Sequence, residues 1–142
     1  MLLLACVLSA CAHDVAARVR GQASRELSCV GEGLRVQVVG TLQGRGREPV
    51  QLHVVDAEGC DAERRYFCVP GGACATTLEA VTPATSHAGL KRALWLLRTQ
   101  TRGRCPGDTQ RVVQESESLF VLETCDGRWS YHCRASGCDR LR

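Results

Sequence analysis

Two stretches of the chain place apolar residues at the spacing of one helix face. The positions that recur every four residues in the first stretch are Val15, Val19, Ala23 and Leu27. The positions at i, i+3, i+4 and i+7 in the second stretch are Leu90, Ala93, Leu94 and Leu97. We expect this second helix to begin near Ser86 and to continue towards Gly103, since Pro106 lies just beyond.

Apolar and polar residues alternate after each predicted helix, and this period of two predicts strands. After the first helix the apolar positions are Leu34, Val36 and Val38, then Val50, Leu52 and Val54. After the second helix they lie around Val112 and across Leu119–Leu122. The segment Thr41–Pro49 is rich in Gly and Arg, which predicts a surface loop. We therefore expect an α+β fold with the helices on one face of a largely antiparallel sheet.

The chain has ten cysteines among 142 residues, which is unusually many. Apart from Cys6 and Cys11 they form two groups, namely Cys29, Cys60, Cys68 and Cys74, then Cys105, Cys125, Cys133 and Cys138. In an exported protein this density indicates a disulfide scaffold, whereas in a reducing cytosol it would indicate metal or redox sites. Each group of four allows three pairings, and we expect every bridge to stay within its own group.

The two groups of cysteines lie in segments that align with one another. Residues 29–36 align without gaps on residues 105–112, and residues 60–68 align on residues 125–133. A repeat of this kind indicates two related units. Each unit is predicted to contain, in order, a helix, two strands and a short strand, with Tyr66 or Tyr131 in the short strand. The sequence thus predicts a small disulfide-stabilised domain of two related halves, residues 15–82 and 83–142.

The uncharged stretch of residues 2–10 is too short to span a bilayer but has the length of a signal-peptide core. It ends in Leu8-Ser9-Ala10-Cys11, which resembles the lipobox of bacterial lipoproteins. In that family the cysteine carries a diacylglyceryl group, and the signal is cut just before it. The resemblance implies a signal peptide over residues 1–10, lipid attachment at Cys11 and a tether over residues 11–14. An ordinary secretion signal is the alternative.

The lipobox resemblance also implies a location. Two or three acyl chains would hold the protein stably at a membrane of the cell envelope. Ala12 follows the cysteine where an Asp can retain lipoproteins on the inner membrane, so the outer membrane is favoured, facing the periplasm or the cell surface. Residues 29–138 further resemble short cysteine-rich lipoproteins of GC-rich proteobacteria such as myxobacteria, which share the Cys-x7-Cys block with its Tyr. That resemblance implies no activity.

The net charge and the sequence motifs of the chain limit the partners and cofactors that we expect. The net charge of +3 is almost entirely arginine, which GC-rich codon usage explains, and acidic residues are interspersed, so we expect no nucleic-acid partner. No C-x-x-C occurs, so neither a zinc site nor thiol exchange is indicated, and we expect no cofactor. The four histidines, His13, His53, His87 and His132, are scattered and belong to no catalytic motif.

We therefore expect a membrane-anchored envelope protein with a structural or protein-binding role, whose partner would be another envelope protein. No residue is assigned as catalytic. One alternative is an envelope hydrolase, which would need a pocket that gathers His with Asp or Ser. Another is a secreted inhibitor-like module, for which Thr41–Pro49 is the candidate loop. Asp61 and Asp126 are expected in turns, and Trp95 and Trp129 in the core.

Overall fold

The computed structural model describes residues 5–46, 49–101 and 105–142, with side chains of the first helix described from Asp14 onward. The described residues form two α-helices, α1 (Ala5–Glu26) and α2 (His87–Gln100). The strands are β1 (Arg35–Gln43), β2 (Gln51–Gly59), β3 (Ala62–Cys68), β4 (Cys74–Ala75), β5 (Arg111–Gln114), β6 (Leu119–Thr124), β7 (Gly127–Arg134) and β8 (Gly137–Arg140). Short 3-10 turns occupy Gly31–Gly33, Leu78–Ala80, Ala84–Ser86 and Gly107–Thr109.

All eight strands belong to one sheet, in the order β4-β3-β2-β1-β5-β6-β7-β8. Neighbouring strands are antiparallel except at the centre, where β1 and β5 run parallel, with Leu42 opposite Val112. The strands before this central pair come from the first part of the chain, and those after it come from the second. The predicted mixture of helices with a largely antiparallel sheet is confirmed.

The two helices pack on opposite faces of the sheet, so the expectation that they share one face is wrong. Successive residues of a strand point to opposite faces. In β2, Leu52 and Val54 lie in the core under α2, whereas Val55 and Ala57 lie in the core under α1. The buried helix residues are Leu90, Ala93, Leu96 and Leu97 on one side, and Val15, Val19 and Ala23 on the other. Both faces of β2 are therefore covered.

The apolar side chains of β1 point to one face of the sheet in the first part of the strand and to the other face in its last part. Val36 and Val38 pack in the core under α1, whereas Leu42 packs under α2. The pairing with β2 shifts register between Val38 and Gly40, and a bulge of this kind rotates the residues beyond it. The strand then continues to Gln43, with Thr41 only 9% exposed. The loop expected at Thr41–Pro49 is thus shorter than predicted, because its first three residues belong to the strand.

Helix α1 runs without interruption from Ala5 to Glu26, so the residues expected to form the tether, 11–14, are helical. The expected signal peptide lies largely outside the described residues, since residues 1–4 are not described and the side chains of residues 5–13 are not described either. The first described core contact of the helix is made by Val15. In the part of the chain that the structure describes, no helix is both long and apolar enough to cross a bilayer.

Candidate functional site

The structure pairs all eight cysteines between residues 29 and 138, so the predicted disulfide framework is confirmed. The bridges are Cys29–Cys60, Cys68–Cys74, Cys105–Cys125 and Cys133–Cys138. Each bridge stays within its own group of four. Of the three pairings open to each group, both groups adopt the one that joins the first cysteine to the second and the third to the fourth.

Two of the bridges tie a hairpin turn to the chain before the first strand of the same group. Cys29 follows α1 and reaches Cys60 in the β2–β3 turn, while Cys105 precedes β5 and reaches Cys125 in the β6–β7 turn. Cys60 and Asp61 both have left-handed backbone angles, with φ of 51° and 62°. The turn therefore uses the conformation of a tight two-residue hairpin loop, in which Asp is favoured.

The other two bridges cross between neighbouring strands. Cys68 of β3 lies opposite Cys74 of β4, and Cys133 of β7 lies opposite Cys138 of β8. These bridges fix the short outermost strands, which have few ladder hydrogen bonds of their own. Each edge of the sheet is thereby attached covalently to its neighbour.

One group of metal-ligand residue types comes together among the described residues. The Sγ atoms of Cys105 and Cys125 and a carboxylate oxygen of Asp126 all lie within 4.8 Å of one another. The two sulfur atoms are bonded to each other, and thiolate ligation needs a free deprotonated sulfur. With the bridge intact, a single carboxylate remains, which is too little for a zinc site.

The residue predicted to carry the lipid, Cys11, lies in the part of α1 whose side chains are outside the described residues. The same holds for Cys6 and His13. Lipid attachment at Cys11 therefore stays a prediction.

The three described histidines lie on different elements, β2, α2 and β7, and have different hydrogen-bond partners. His53 Nδ1 lies 3.3 Å from Thr41 Oγ1. Burial is the main cause that lowers the pKa of His53, and the neighbouring positive charge of Arg18 lowers it further. His87 Nε2 lies 3.0 Å from the main-chain oxygen of Thr82. The hydrogen bonds recorded for these described histidines involve no carboxylate, so the structure assembles no Ser–His–Asp arrangement from them.

A tyrosine in each part of the sheet donates a hydrogen bond to the last residue of a helix. Tyr66 of β3 donates to Glu26 Oε2 at 2.6 Å, and Tyr131 of β7 donates to Gln100 Oε1 at 3.5 Å. These are the two tyrosines that align in the sequence. Burial, with help from the Glu26 carboxylate, raises the pKa of Tyr66 to about 12.

Stability at acid pH should depend on Glu26. Its hydrogen bond from Tyr66 is the main cause that lowers the pKa of Glu26 below the usual 4.5, and further donors assist. A lowered folded-state pKa adds stability above the unfolded value, and this stability is lost as the pH falls through the folded-state pKa. Glu26→Gln should therefore flatten the fall of unfolding free energy below about pH 4.5, by less than about 1 kcal/mol since the side chain is partly exposed.

Denaturant unfolding at a series of pH values between about 3 and 7 checks this effect, because the window spans the titration of carboxylates. Glu58→Gln is the matched control, since Glu58 forms an exposed ion pair with Arg35. If Glu26→Gln and the wild type lose stability with the same pH dependence, the hydrogen bond from Tyr66 does not stabilise the ionised carboxylate.

The two tryptophans do not both lie in the core. Trp95 of α2 is 45% exposed, so the expectation that it is a core residue is wrong. Trp129 of β7 packs partly against the core under α2, and the guanidinium of Arg140 lies 5.4 Å from its ring centroid. That distance is within the range of a cation–π contact.

Two cavities lie along the β7–β8 hairpin, and each is bordered by one tryptophan, Trp95 in one case and Trp129 in the other. One cavity, of about 350 Å³, lies between α2 and the β7–β8 turn, and the other, of about 640 Å³, lies at the opposite end of the hairpin. No acidic residue lines either cavity among the described residues, whereas six cationic residues do: Lys91, Arg92, Arg128, Arg134, Arg140 and Arg142. We call these six residues with Trp95 and Trp129 the cationic strip.

The strip holds a third of the 18 Lys and Arg residues of the chain, so the positive charge is not evenly interspersed on the surface. Two of its cations have acidic neighbours: Lys91 pairs with Glu79 at 2.8 Å, and Arg128 pairs with Glu115 at 3.1 Å. Within the described residues, Arg92, Arg134, Arg140 and Arg142 form no ion pair. The strip therefore retains unneutralised positive charge.

Sequence reasoning missed the strip because its residues come from α2 and from a hairpin more than 30 positions later. One signal was available, since residues 128–142 contain four arginines and a single acidic residue. The structure thus shows a cross-linked sheet with a cationic, aromatic surface beside one edge.

A comparison with protein-family models, curated proteins and solved structures finds no significant match to this chain.

Proposed function

We propose that this chain is an exported lipoprotein of the cell envelope, anchored through a lipid on Cys11, with a structural or protein-binding role. The observation that carries the proposal is the pairing of all eight cysteines from Cys29 to Cys138. Disulfides form and persist in oxidising compartments, so complete pairing supports export. The lipobox-like sequence Leu8–Cys11 provides a route of export that would leave a cysteine at the membrane.

The halves 15–82 and 83–142 are, on this proposal, two versions of one unit. Equivalent cysteines form equivalent bridges, and the aligned tyrosines both bind the last residue of their own helix. The aligned 3-10 turns, Gly31–Gly33 and Gly107–Thr109, precede the first strand of each half. Duplication of a cross-linked unit supports a scaffold whose surfaces are free to diverge.

A binding role is favoured over catalysis by what the described surface offers. The cationic strip exposes aromatic and guanidinium groups, which are enriched at protein interfaces. The described histidines lie on different elements, and none of their hydrogen bonds involves a carboxylate. Ala12 after the cysteine supports an outer-membrane location, by analogy with lipoproteins that lack the retention Asp.

The anchor is tested by expressing the full chain in a bacterial host with lipoprotein processing. Cys11→Ala should move the protein from the membrane to the soluble fraction and abolish the acyl mass, because two or three acyl chains hold a protein stably whereas none does. Cys6→Ala is the matched control, since Cys6 lies in the same apolar segment, and it should stay membrane-bound and lipidated. Intact mass before and after reduction and alkylation provides the measurement.

The same mass measurement tests the scaffold. The wild type should begin at Cys11, carry acyl chains and alkylate at eight cysteines only after reduction. A full-length chain whose thiols alkylate without reduction would overturn both export and the disulfide scaffold. A Cys11→Ala protein that still fractionates with membranes and carries acyl mass would show that the anchor lies elsewhere.

A further inference from the structure

Strand β8 is an edge of the sheet, and part of its main chain has no partner. In an antiparallel pair, alternate residues direct their N–H and C=O groups towards the neighbouring strand. Leu141 donates its N–H to the oxygen of Ser130, which places Leu141 among the residues that face β7. Arg140 and Cys138, at the alternate positions, therefore turn their main-chain groups away from β7, towards the open edge.

At the opposite end of the sheet, side chains of α1 cover the short strand β4. Gln22 Nε2 donates to the main-chain oxygen of Cys74 in β4 at 3.5 Å, and Arg18 donates to the main-chain oxygen of Gly72 beside it. Within the described residues, no side chain donates to the main chain of β8. Over the residues that the structure describes, the outer edge of β8 is thus open to another strand.

The side chains beside this edge favour one kind of partner. The cationic strip lies at both ends of β8. Arg134 precedes the β7–β8 turn at one end, and Arg140 and Arg142 lie at the other end. Two large apolar side chains, Trp95 and Leu141, are each 45% exposed next to these charges. Arginine binds carboxylates in a bidentate manner, and Trp and Arg dominate the energetics of many interfaces.

We propose that the open edge of β8 and the cationic strip bind an extended acidic segment of a partner protein, which adds a strand to the sheet. Main-chain hydrogen bonds to Cys138 and Arg140 would supply affinity, as in other cases of strand addition. Carboxylates of the segment meet Arg92 and Arg140 on the α2 side of the sheet, and apolar residues of the segment meet Leu141 on the other side. This inference rests on the proposed protein-binding role and names the chemistry of the partner.

The bilayer that would hold the lipid anchor is a poor candidate for the same surface. Helix α1 packs on β1, β2 and β3, on the face opposite to α2, and β8 lies five strands beyond β2. With strands about 4.8 Å apart, the strip lies roughly 24 Å across the sheet from α1. Cys11 is only four residues from the buried Val15, about 6 Å of helix, so a lipid at Cys11 would attach the chain beside α1 and not beside the strip.

Charged side chains on an edge strand also protect proteins from edge-to-edge aggregation, and the test must separate that role from binding. The probe is a capped peptide of about eight residues in which Glu and Val alternate, the minimum pattern for a half-acidic strand. It is titrated at physiological salt into the mature protein, purified from membranes in nonionic detergent with the disulfides intact. Tryptophan fluorescence is the readout, since both tryptophans of the chain belong to the strip.

The expected result is saturable binding of the Glu–Val peptide and no binding of the corresponding Lys–Val peptide. Methylating alternate backbone nitrogens of the Glu–Val peptide should abolish binding, because it removes donors needed for strand pairing. The double variant Arg92→Gln and Arg140→Gln should weaken binding at least roughly tenfold, as expected for two charge-assisted contacts. The control double variant Arg25→Gln and Arg45→Gln removes the same charge from exposed positions elsewhere and should change affinity less than about twofold.

Four outcomes would overturn the inference. The first is no binding of the Glu–Val peptide by the folded protein. The second is equal weakening by both double variants, which would mean general charge attraction. The third is binding that tolerates backbone methylation, which would mean that no strand is added to the sheet. The fourth is binding of anionic vesicles with the same dependence on Arg92 and Arg140, which would assign the strip to a lipid surface. None of these outcomes affects the acyl mass at Cys11, so failure here is distinguishable from failure of the proposed anchor.

Discussion

Replacing Cys29 and Cys60 together by alanine should lower the free energy of unfolding by about 4 kcal/mol, whereas replacing Cys68 and Cys74 should lower it by about 2 kcal/mol. The difference follows from loop length. The first bridge closes a loop with a sequence separation of 31, and the second closes one of 6. A longer closed loop removes more conformational entropy from the unfolded chain, so its loss destabilises the folded state more.

The two pairs are well matched for this comparison. Each contains one fully buried cysteine, Cys29 or Cys68, so the packing cost of alanine is similar in both variants. Denaturant unfolding of the oxidised proteins gives the free energies, and the remaining six cysteines must stay paired by mass analysis. If the Cys68–Cys74 variant were destabilised as much as the Cys29–Cys60 variant, loop closure would not be the dominant contribution of these bridges.

The helices and the cross-links were accessible from the sequence because both are encoded locally. Helix α2 spans His87–Gln100, and its predicted apolar stripe supplies Leu90, Ala93 and Leu97 to the core. The cysteines could be grouped because two blocks without gaps, residues 29–36 and 60–68, recur as residues 105–112 and 125–133. The choice among the three pairings within each group was beyond the sequence, since it depends on which strands become neighbours.

The placement of the helices on opposite faces could not be predicted from alternation alone. Val50, just before β2, and Leu52 and Val54 in β2 give one apolar face, but Val55 and Ala57 continue the apolar run on the other face. A strand that is apolar on both faces belongs in the middle of a sheet covered on both sides. The parallel pair of β1 and β5 at the centre is equally invisible in the sequence, because it joins the two halves through long-range contacts.

The candidate binding surface escaped prediction for a related reason. Net charge averaged over the whole chain is small, and ion pairs such as Arg65 with Asp56 neutralise much of it within the sheet. Folding brings Arg92 of α2 and Arg134 to one cavity and Arg140 to another at the opposite end of the β7–β8 hairpin, and no acid among the described residues lines either cavity. Local charge density is thus a property of the fold. In the sequence, only the arginines of residues 128–142 indicate part of this surface.

The second largest predicted loss of unfolding free energy comes from the contact between α2 and β1. Leu97 is fully buried, and Leu97→Ala should cost about 3 kcal/mol through lost burial and a cavity. A methyl group added at Gly40 would lie 2.7 Å and 2.9 Å from the Leu97 Cδ atoms, so Gly40→Ala should cost about 1–3 kcal/mol through overpacking. The two substitutions act on the same space from opposite sides.

The double variant Gly40→Ala with Leu97→Ala should therefore be less destabilised than the sum of the single variants, by at least about 0.5 kcal/mol, because the new methyl occupies part of the cavity. Leu90 provides the matched control, since it is equally buried on α2 but lies against Gly44. Gly40→Ala with Leu90→Ala should be additive, as distant substitutions usually are. Denaturant unfolding of the five variants and the wild type completes both cycles. Additivity in the Leu97 cycle would mean that α2 does not cover Gly40, and the assignment of the two helices to opposite faces would lose its closest contact.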